Sequence, residues 1–179
     1  MDIPVIETAH ISLRHFSTAD IDALFLIANQ EGIFRYFPNP APWTREKTEH
    51  FIHEQLLHWQ QHGFGWWGVE QLDTPGLIGW NGLQYLSDTN EIEVGYLLGK
   101  DYWGRGWTTE GAWASLQFGL ETKGLDSIIA IVHPHNVASQ RVALKCGMIF
   151  VDRNSYFGMD CFRYRMDLKE FKSKKEAGL

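Results

Sequence analysis

The sequence predicts an α+β fold, with a mixed, mostly antiparallel central sheet and helices on both faces. Three observations carry this. Two helical runs come early, and strand-like runs joined by tight turns then fill residues 65–98. A wholly apolar run, residues 127–132, sits between two later helical runs, as a strand covered on both faces does. The chain then closes on two more strand-like runs. Strands therefore cluster instead of alternating regularly with helices, which argues against a doubly wound parallel sheet. The 179 residues read as one domain, 1–179, with a charged tail at 169–179.

Each element has a local reason. Residues 11–16 alternate apolar and polar, as a half-buried strand does. Ser17 and Asp20 fit a capping box, and Ile21, Leu24, Phe25 and Ala28 follow at helical spacing, with Gly32 as the expected end. Residues 34–43 hold three prolines and several aromatics, which reads as an ordered loop. Thr44 caps a second helix with Phe51, Ile52, Leu56 and Trp59 on one face, and Gly63 stops it. Runs 65–70 and 77–84 flank the turn sequence Asp73-Thr74-Pro75-Gly76. Ser87-Asp88-Thr89-Asn90 turns into the strand 91–98. A helix over 109–120 ends near Lys123-Gly124, and the apolar strand 127–132 follows. Asn136 caps a short helix to Cys146, closed by Gly147. Runs 148–152 and 157–167 read as an antiparallel pair, and the tail is expected to fray.

The totals exclude several functions. The net charge of −6 gives no basic face for nucleic acid. No apolar run reaches the length of a membrane span, and residues 1–10 lack the pattern of a secretory signal. Two cysteines, Cys146 and Cys161, make no disulfide framework. A cytoplasmic protein is the expectation. His50, His53, His58 and His62 line one helix without an acidic or cysteine partner set, and His133 and His135 fall in a loop. No metal site is expected from either group.

The informative stretch is Tyr102-Trp103-Gly104-Arg105-Gly106-Trp107-Thr108-Thr109-Glu110, between a strand and a helix. Glycines there let backbone approach a ligand closely, and a helix start offers unpaired N–H groups and partial positive charge. Such a turn suits phosphate. A nucleotide triphosphate loop needs Lys after Gly106, where Trp107 stands. A dinucleotide fingerprint needs a third glycine where Thr109 stands, and it needs a βαβ unit. The glycine turn alone leaves nucleotide, dinucleotide and coenzyme A in competition.

The ordered set of motifs resembles the GCN5-related N-acetyltransferases. It comprises the 103–110 turn, Asn136-Val137-Ala138-Ser139 and Lys145-Cys146-Gly147-Met148. The runs Ile11-Ser12-Leu13-Arg14, Ile78-Gly79 and Glu93-Val94-Gly95-Tyr96 look most like the RimJ/RimL branch. The resemblance covers roughly residues 8 to 152 and implies that family's acyl-CoA N-acyltransferase fold. It implies acetyl-CoA as acyl donor, a primary amine as acceptor, and direct transfer without a covalent enzyme intermediate. It also allows a homodimer. Trp103, Gly104, Arg105, Gly106, Trp107, Thr108 and Thr109 would hold the pyrophosphate. Trp103 takes the usual Gln/Arg place, and Thr108 takes the place of a smaller Gly or Ala. Asn136 and Lys145 join the cofactor set, and a backbone N–H near Leu97 or Leu98 would meet the oxyanion.

For the chemistry, the resemblance and the strand pattern point to Glu93 as base and Ser139 as hydrogen-bond donor to the leaving thiolate. Strand alternation puts Glu91 on the same face as Glu93 and opposite Tyr96. Glu91, Arg35, Tyr36 and Trp43 are the acceptor-side candidates. The family's frequent acid tyrosine falls at Ala143 here, so that role has no carrier by alignment. The acceptor remains open between a protein N-terminal α-amine, as of a ribosomal protein, and a small-molecule amine. A coenzyme-A-binding module without catalysis is the other class of reading.

Overall fold

The computed structural model describes residues 3–178. Met1, Asp2 and Leu179, the ends of the N-terminal and tail readings, lie outside the described residues. Eight strands form one sheet: β1 (Ile6–Glu7), β2 (Ile11–Arg14), β3 (Trp66–Gln71), β4 (Thr74–Leu86), β5 (Glu91–Leu98), β6 (Ser127–Val132), β7 (Ile149–Tyr156) and β8 (Met159–Asp167). The helices are α1 (Ile21–Ala28), α2 (Arg45–His62), α3 (Trp107–Gln117), α4 (Val137–Lys145) and α5 (Leu168–Glu176). The spatial order is β1-β2-β3-β4-β5-β6-β8-β7, and β5–β6 is the one parallel pair. The mixed, mostly antiparallel α+β architecture is as the sequence predicts.

Period-two alternation divides the core into two layers. Trp67, Val69 and Leu83 pack toward Leu116 of α3 and Phe171 of α5. Leu77, Trp80 and Leu97 pack toward Leu24 of α1, Ile52 of α2 and the loop residue Phe34. Helices thus cover both faces. No helix among the described residues is long and apolar enough to cross a membrane.

Several boundaries follow from side-chain chemistry. The Thr44 hydroxyl accepts the Lys47 N–H at 3.1 Å, and Gly63, at φ 69°, ends α2. The first helix stops at Ala28 rather than near Gly32. Asn29 Nδ2 takes the Phe25 and Trp43 carbonyls there, at 2.9 and 3.1 Å. The β3–β4 turn is Leu72-Asp73, tighter than expected, because Gln71 already pairs with Thr74. Pro75 is tolerated because β4 overhangs β5 there, whose pairing starts at Gly79.

The tail departs most from expectation. Residues 168–176 form α5, capped by the Asp167 carboxylate, which accepts the Glu170 N–H at 2.8 Å. Phe171 is fully buried, 4.6 Å from Trp113 between ring centres. One aromatic anchor outweighs the solvating tendency of the charges around it.

Candidate active site

β5 and β6 are neighbours, yet their ladder holds one pair, Glu93 with Ile129. Past that point the two strands part. A cleft of about 630 Å³ opens between their C-terminal ends, where ligands bind in sheets of this kind. Glu93 to Leu98 border it on one side, and Ala130 to His133 on the other. The glycine turn and the start of α4 close its far end.

The turn has the backbone geometry that suits an anion. Gly104 and Gly106 have φ of 76° and 83°, a left-handed backbone that other residues resist. An added Cβ would meet nothing within 4 Å at either, so conformation is the constraint there. Gly106 caps α3 without a side-chain bond, and the first helical bond runs from Glu110 N–H to the Gly106 carbonyl. The N–H groups of Trp107, Thr108 and Thr109 therefore have no carbonyl within the helix. The helix starts two residues before the expected Thr109, which brings Thr108 and Thr109 into its first turn and onto the cleft wall.

The loop's other side chains divide. Trp103 lines the cleft, and its Nε1 donates to the Leu98 carbonyl at 2.7 Å. Trp107 is buried and stacks on Tyr102. Arg105 folds back over Trp107, 5.0 Å from the ring centre, and donates to the Asp101 carbonyl at 3.1 Å. Two aromatic faces and a carbonyl thus hold the Arg105 side chain off the cleft lining. The cations that do line the cleft are Lys145 and Arg141 of α4. Lys145, Gly106 and Thr109 also border an adjoining groove of about 860 Å³.

At the centre, Glu93 keeps one face to the cleft while protein surrounds the rest. Desolvation pushes its carboxyl up to about 8 from an ordinary 4.5, against a bond from the Ile131 backbone that pulls the other way. Across the gap, the Asn136 Oδ1 accepts the Ser139 N–H at 3.1 Å, which sets the first turn of α4. Ser139 Oγ lies 3.0 Å from the Tyr96 hydroxyl, which also donates to the Ser139 carbonyl at 3.2 Å. Either hydroxyl can donate in the Tyr96–Ser139 contact. Burial raises the Tyr96 phenol well above its usual range, so it stays protonated. Leu97 and Leu98 line the cleft as buried residues.

Tyr96 is the residue the sequence reading passed over. Alternation assigns it to the face opposite Glu93, but both line the cleft because the gap opens along the freed edge of β5. The signal was there in the Glu93-Val94-Gly95-Tyr96 run, but a side chain's distance from Ser139 is a tertiary fact.

On the acceptor side, Tyr36 lines the cleft and stacks on His133 at 5.3 Å. The other three candidates do not reach it. Glu91 is held by Arg163 at 2.6 Å and by the Tyr156 hydroxyl at 2.9 Å, at the far end of β5. Trp43 is buried against Phe34 and Trp80, with ring centres 5.1 and 6.0 Å away. Arg35 is exposed and off the lining. The cleft wall also takes Trp66, Trp80, Gln84 and Phe157, which motif reading did not single out. The Cys146 thiol is buried, pushed up to about 12, and donates to the Thr109 carbonyl at 3.6 Å, so it ties α4 to α3. His58 serves the fold: Nδ1 meets the Phe64 carbonyl and Nε2 accepts the Tyr85 N–H.

Comparison with known proteins places this geometry. The chain matches the family described as acetyltransferase (GNAT) domain over residues 10–149. It is 29% identical over 145 residues to the uncharacterized N-acetyltransferase YoaA of Bacillus subtilis (strain 168), covering 80% of this chain and 82% of that one. An acetyltransferase from Agrobacterium tumefaciens str. C58 superposes with a TM-score of 0.82 at 25% identity, over 93% and 95% of the two chains. RimL, a ribosomal L7/L12 alpha-N-protein acetyltransferase solved with coenzyme A, superposes at 0.79 and 16% identity, over 93% and 99%. That last likeness is one of fold.

Proposed function

This chain belongs to the acetyltransferase (GNAT) family, and we propose that it moves the acetyl group of acetyl-CoA directly onto a primary amine held beside Glu93. The reading rests above all on one observation: Glu93 and the Tyr96–Ser139 hydroxyl pair line one cleft, which the phosphate-ready turn also borders. The residues present suit the donor. The free N–H groups of Trp107, Thr108 and Thr109 fit a pyrophosphate, with Lys145 and Arg141 adding positive charge. The amide nitrogen of Asn136 is left for the pantetheine arm, since its oxygen is committed to Ser139.

Glu93 takes the proton from the acceptor ammonium. The freed amine attacks the thioester carbonyl, a C–N bond forms and the C–S bond breaks. Ser139 gives its hydroxyl hydrogen bond to the leaving sulfur, the Tyr96 phenol holds that hydroxyl in place, and the amine's second proton passes to the thiolate as the amide forms. A base near 8 matches an α-amine, whose own pKa is about 8, and neutralising that amine at pH 7 costs roughly 1 kcal/mol. A lysine side chain near 10.4 would cost roughly 4.6 kcal/mol. The favoured acceptor is therefore an α-amine, as at a protein N-terminus. A small-molecule amine is the second reading, supported by the limited, aromatic-walled space beside Glu93. The hydroxyl pair argues for catalysis over a purely coenzyme-A-binding module, because it supplies the hydrogen-bond donor that Ala143 lacks.

Mass spectrometry of acetyl-CoA incubated with peptides bearing free N-termini, lysine derivatives and small amines tests the reading. Acetylated amine and stoichiometric free coenzyme A are expected. Ser139→Ala and Glu93→Gln should lower turnover more than acetyl-CoA affinity, and unchanged turnover in both would remove the assigned roles.

A further inference from the structure

The acceptor end of the cleft carries more information than its position. Its walls are Tyr36 and Phe37 from the loop after α1, Trp66 and Trp80 from the sheet, and Phe157 and Met159 from the β7–β8 hairpin. Among the described residues Glu93 is the single carboxylate on the cleft lining, and desolvation disfavours its charge. Asp160 is paired with Arg153, and Glu91 and Asp152 with Arg163, and none of the three is on the cleft lining.

Phe157 stands out in this wall. Tyr156 pairs with Met159, so Phe157 and Gly158 form a two-residue hairpin loop. Both have positive φ, 53° and 74°, the type I′ pattern that Asn and Gly usually fill. A phenylalanine strains the backbone there, and its ring is 56% exposed. Neither the turn nor burial in the core rewards a phenylalanine at this site. The pairing of β8 with β6 reaches Phe162 opposite Val132, so the hairpin runs on past the end of β6 and its tip overhangs the cleft. Backbone strain kept beside a binding cleft points to contact with what binds.

We infer that the acceptor is a primary amine carrying an aromatic or bulky apolar group, and that Phe157 is a specificity-determining residue that closes over that group. This rests on the transferase reading above. The slot admits one ammonium, neutralised at Glu93, and gives a second cation no partner. A free arylalkylamine and a polypeptide N-terminus with an apolar first residue share this chemistry.

The test is a kinetic panel with acetyl-CoA: phenylethylamine against spermidine, and a Phe-initiated against a Lys-initiated peptide amide, so that each pair shares one type of amine and differs in the second cation. The apolar amines should exceed the cationic ones in kcat/KM by about tenfold or more, the worth of burying one large apolar group. The ratio between phenylethylamine and the Phe-initiated peptide then separates a small molecule from a polypeptide terminus. Phe157→Asn suits the turn better, so its Tm should hold or rise while KM for the apolar amines rises about tenfold. Acetyl-CoA affinity should not change. Preference for spermidine or the Lys-initiated peptide, or an unchanged KM in Phe157→Asn, would overturn the inference and leave the transferase reading standing. Acetyl-CoA binding without transfer to any amine would overturn both.

Discussion

Replacing Glu93 by Gln separates a catalytic carboxylate from a merely buried one. The folded chain holds the Glu93 proton to about pH 8, while the unfolded chain releases it near the ordinary 4.5. Between those values the native state binds more protons, so stability falls as pH rises. The contribution is fully present below about 4.5, is lost through the window, and levels off above about 8. At roughly 1.4 kcal/mol per unit, and allowing for the face Glu93 keeps to the cleft, about 2 to 4 kcal/mol disappears between pH 5 and 9. Tyr96 and Cys161 feel the same charge, and both stay protonated over most of this range because burial raises them as well. Urea unfolding of the wild type and Glu93→Gln at pH 5, 7 and 9 reads the difference directly. The wild type should lose stability relative to the variant by that amount. In parallel, the variant should lose roughly 10²- to 10⁴-fold in kcat/KM at pH 8. Parallel stability curves would refute the buried carboxylate, and a variant as active as the wild type would refute its role as base.

Other substitutions probe the rest of the account. Tyr96→Phe should lower kcat about tenfold or more without changing acetyl-CoA affinity, because it removes the phenol hydroxyl 3.0 Å from Ser139 Oγ, as steady-state kinetics would show. Glu91→Gln should leave kcat/KM within about twofold, since Glu91 faces Arg163 and not the cleft; a large loss of turnover would reinstate it on the acceptor side. Phe171→Ala should cost about 3 to 5 kcal/mol in a denaturant titration, because α5 hangs on that one buried ring.

The sequence was most legible where a rule is local. β5 and β6 begin and end at the expected residues, and Thr44, Gly63 and Asn136 cap their helices as their chemistry dictates. The phosphate-ready turn follows from two glycines at a strand-to-helix junction. What stayed hidden depends on which elements meet. The parting of β5 from β6 past Glu93 is a matter of pairing, and it brings Tyr96 to Ser139 against simple alternation. Glu91 looked equivalent to Glu93 because period two says so, but Arg163, seventy-two residues away, claims it. Trp43 read as an acceptor-side candidate in a proline-rich loop, yet three neighbouring rings make it core. Phe171 sat among lysines and glutamates, where only the groove it fills identifies it as an anchor.

The central claim is amine-dependent acetyl transfer through Glu93. The most direct measurement is release of free coenzyme A from acetyl-CoA, with and without an α-amine acceptor, in the wild type and Glu93→Gln, alongside acetyl-CoA binding to both. The account predicts equal binding, release that requires the amine, an N-acetylated product, and near-complete loss in the variant. Release that ignores the amine, or a variant as active as the wild type, would contradict it.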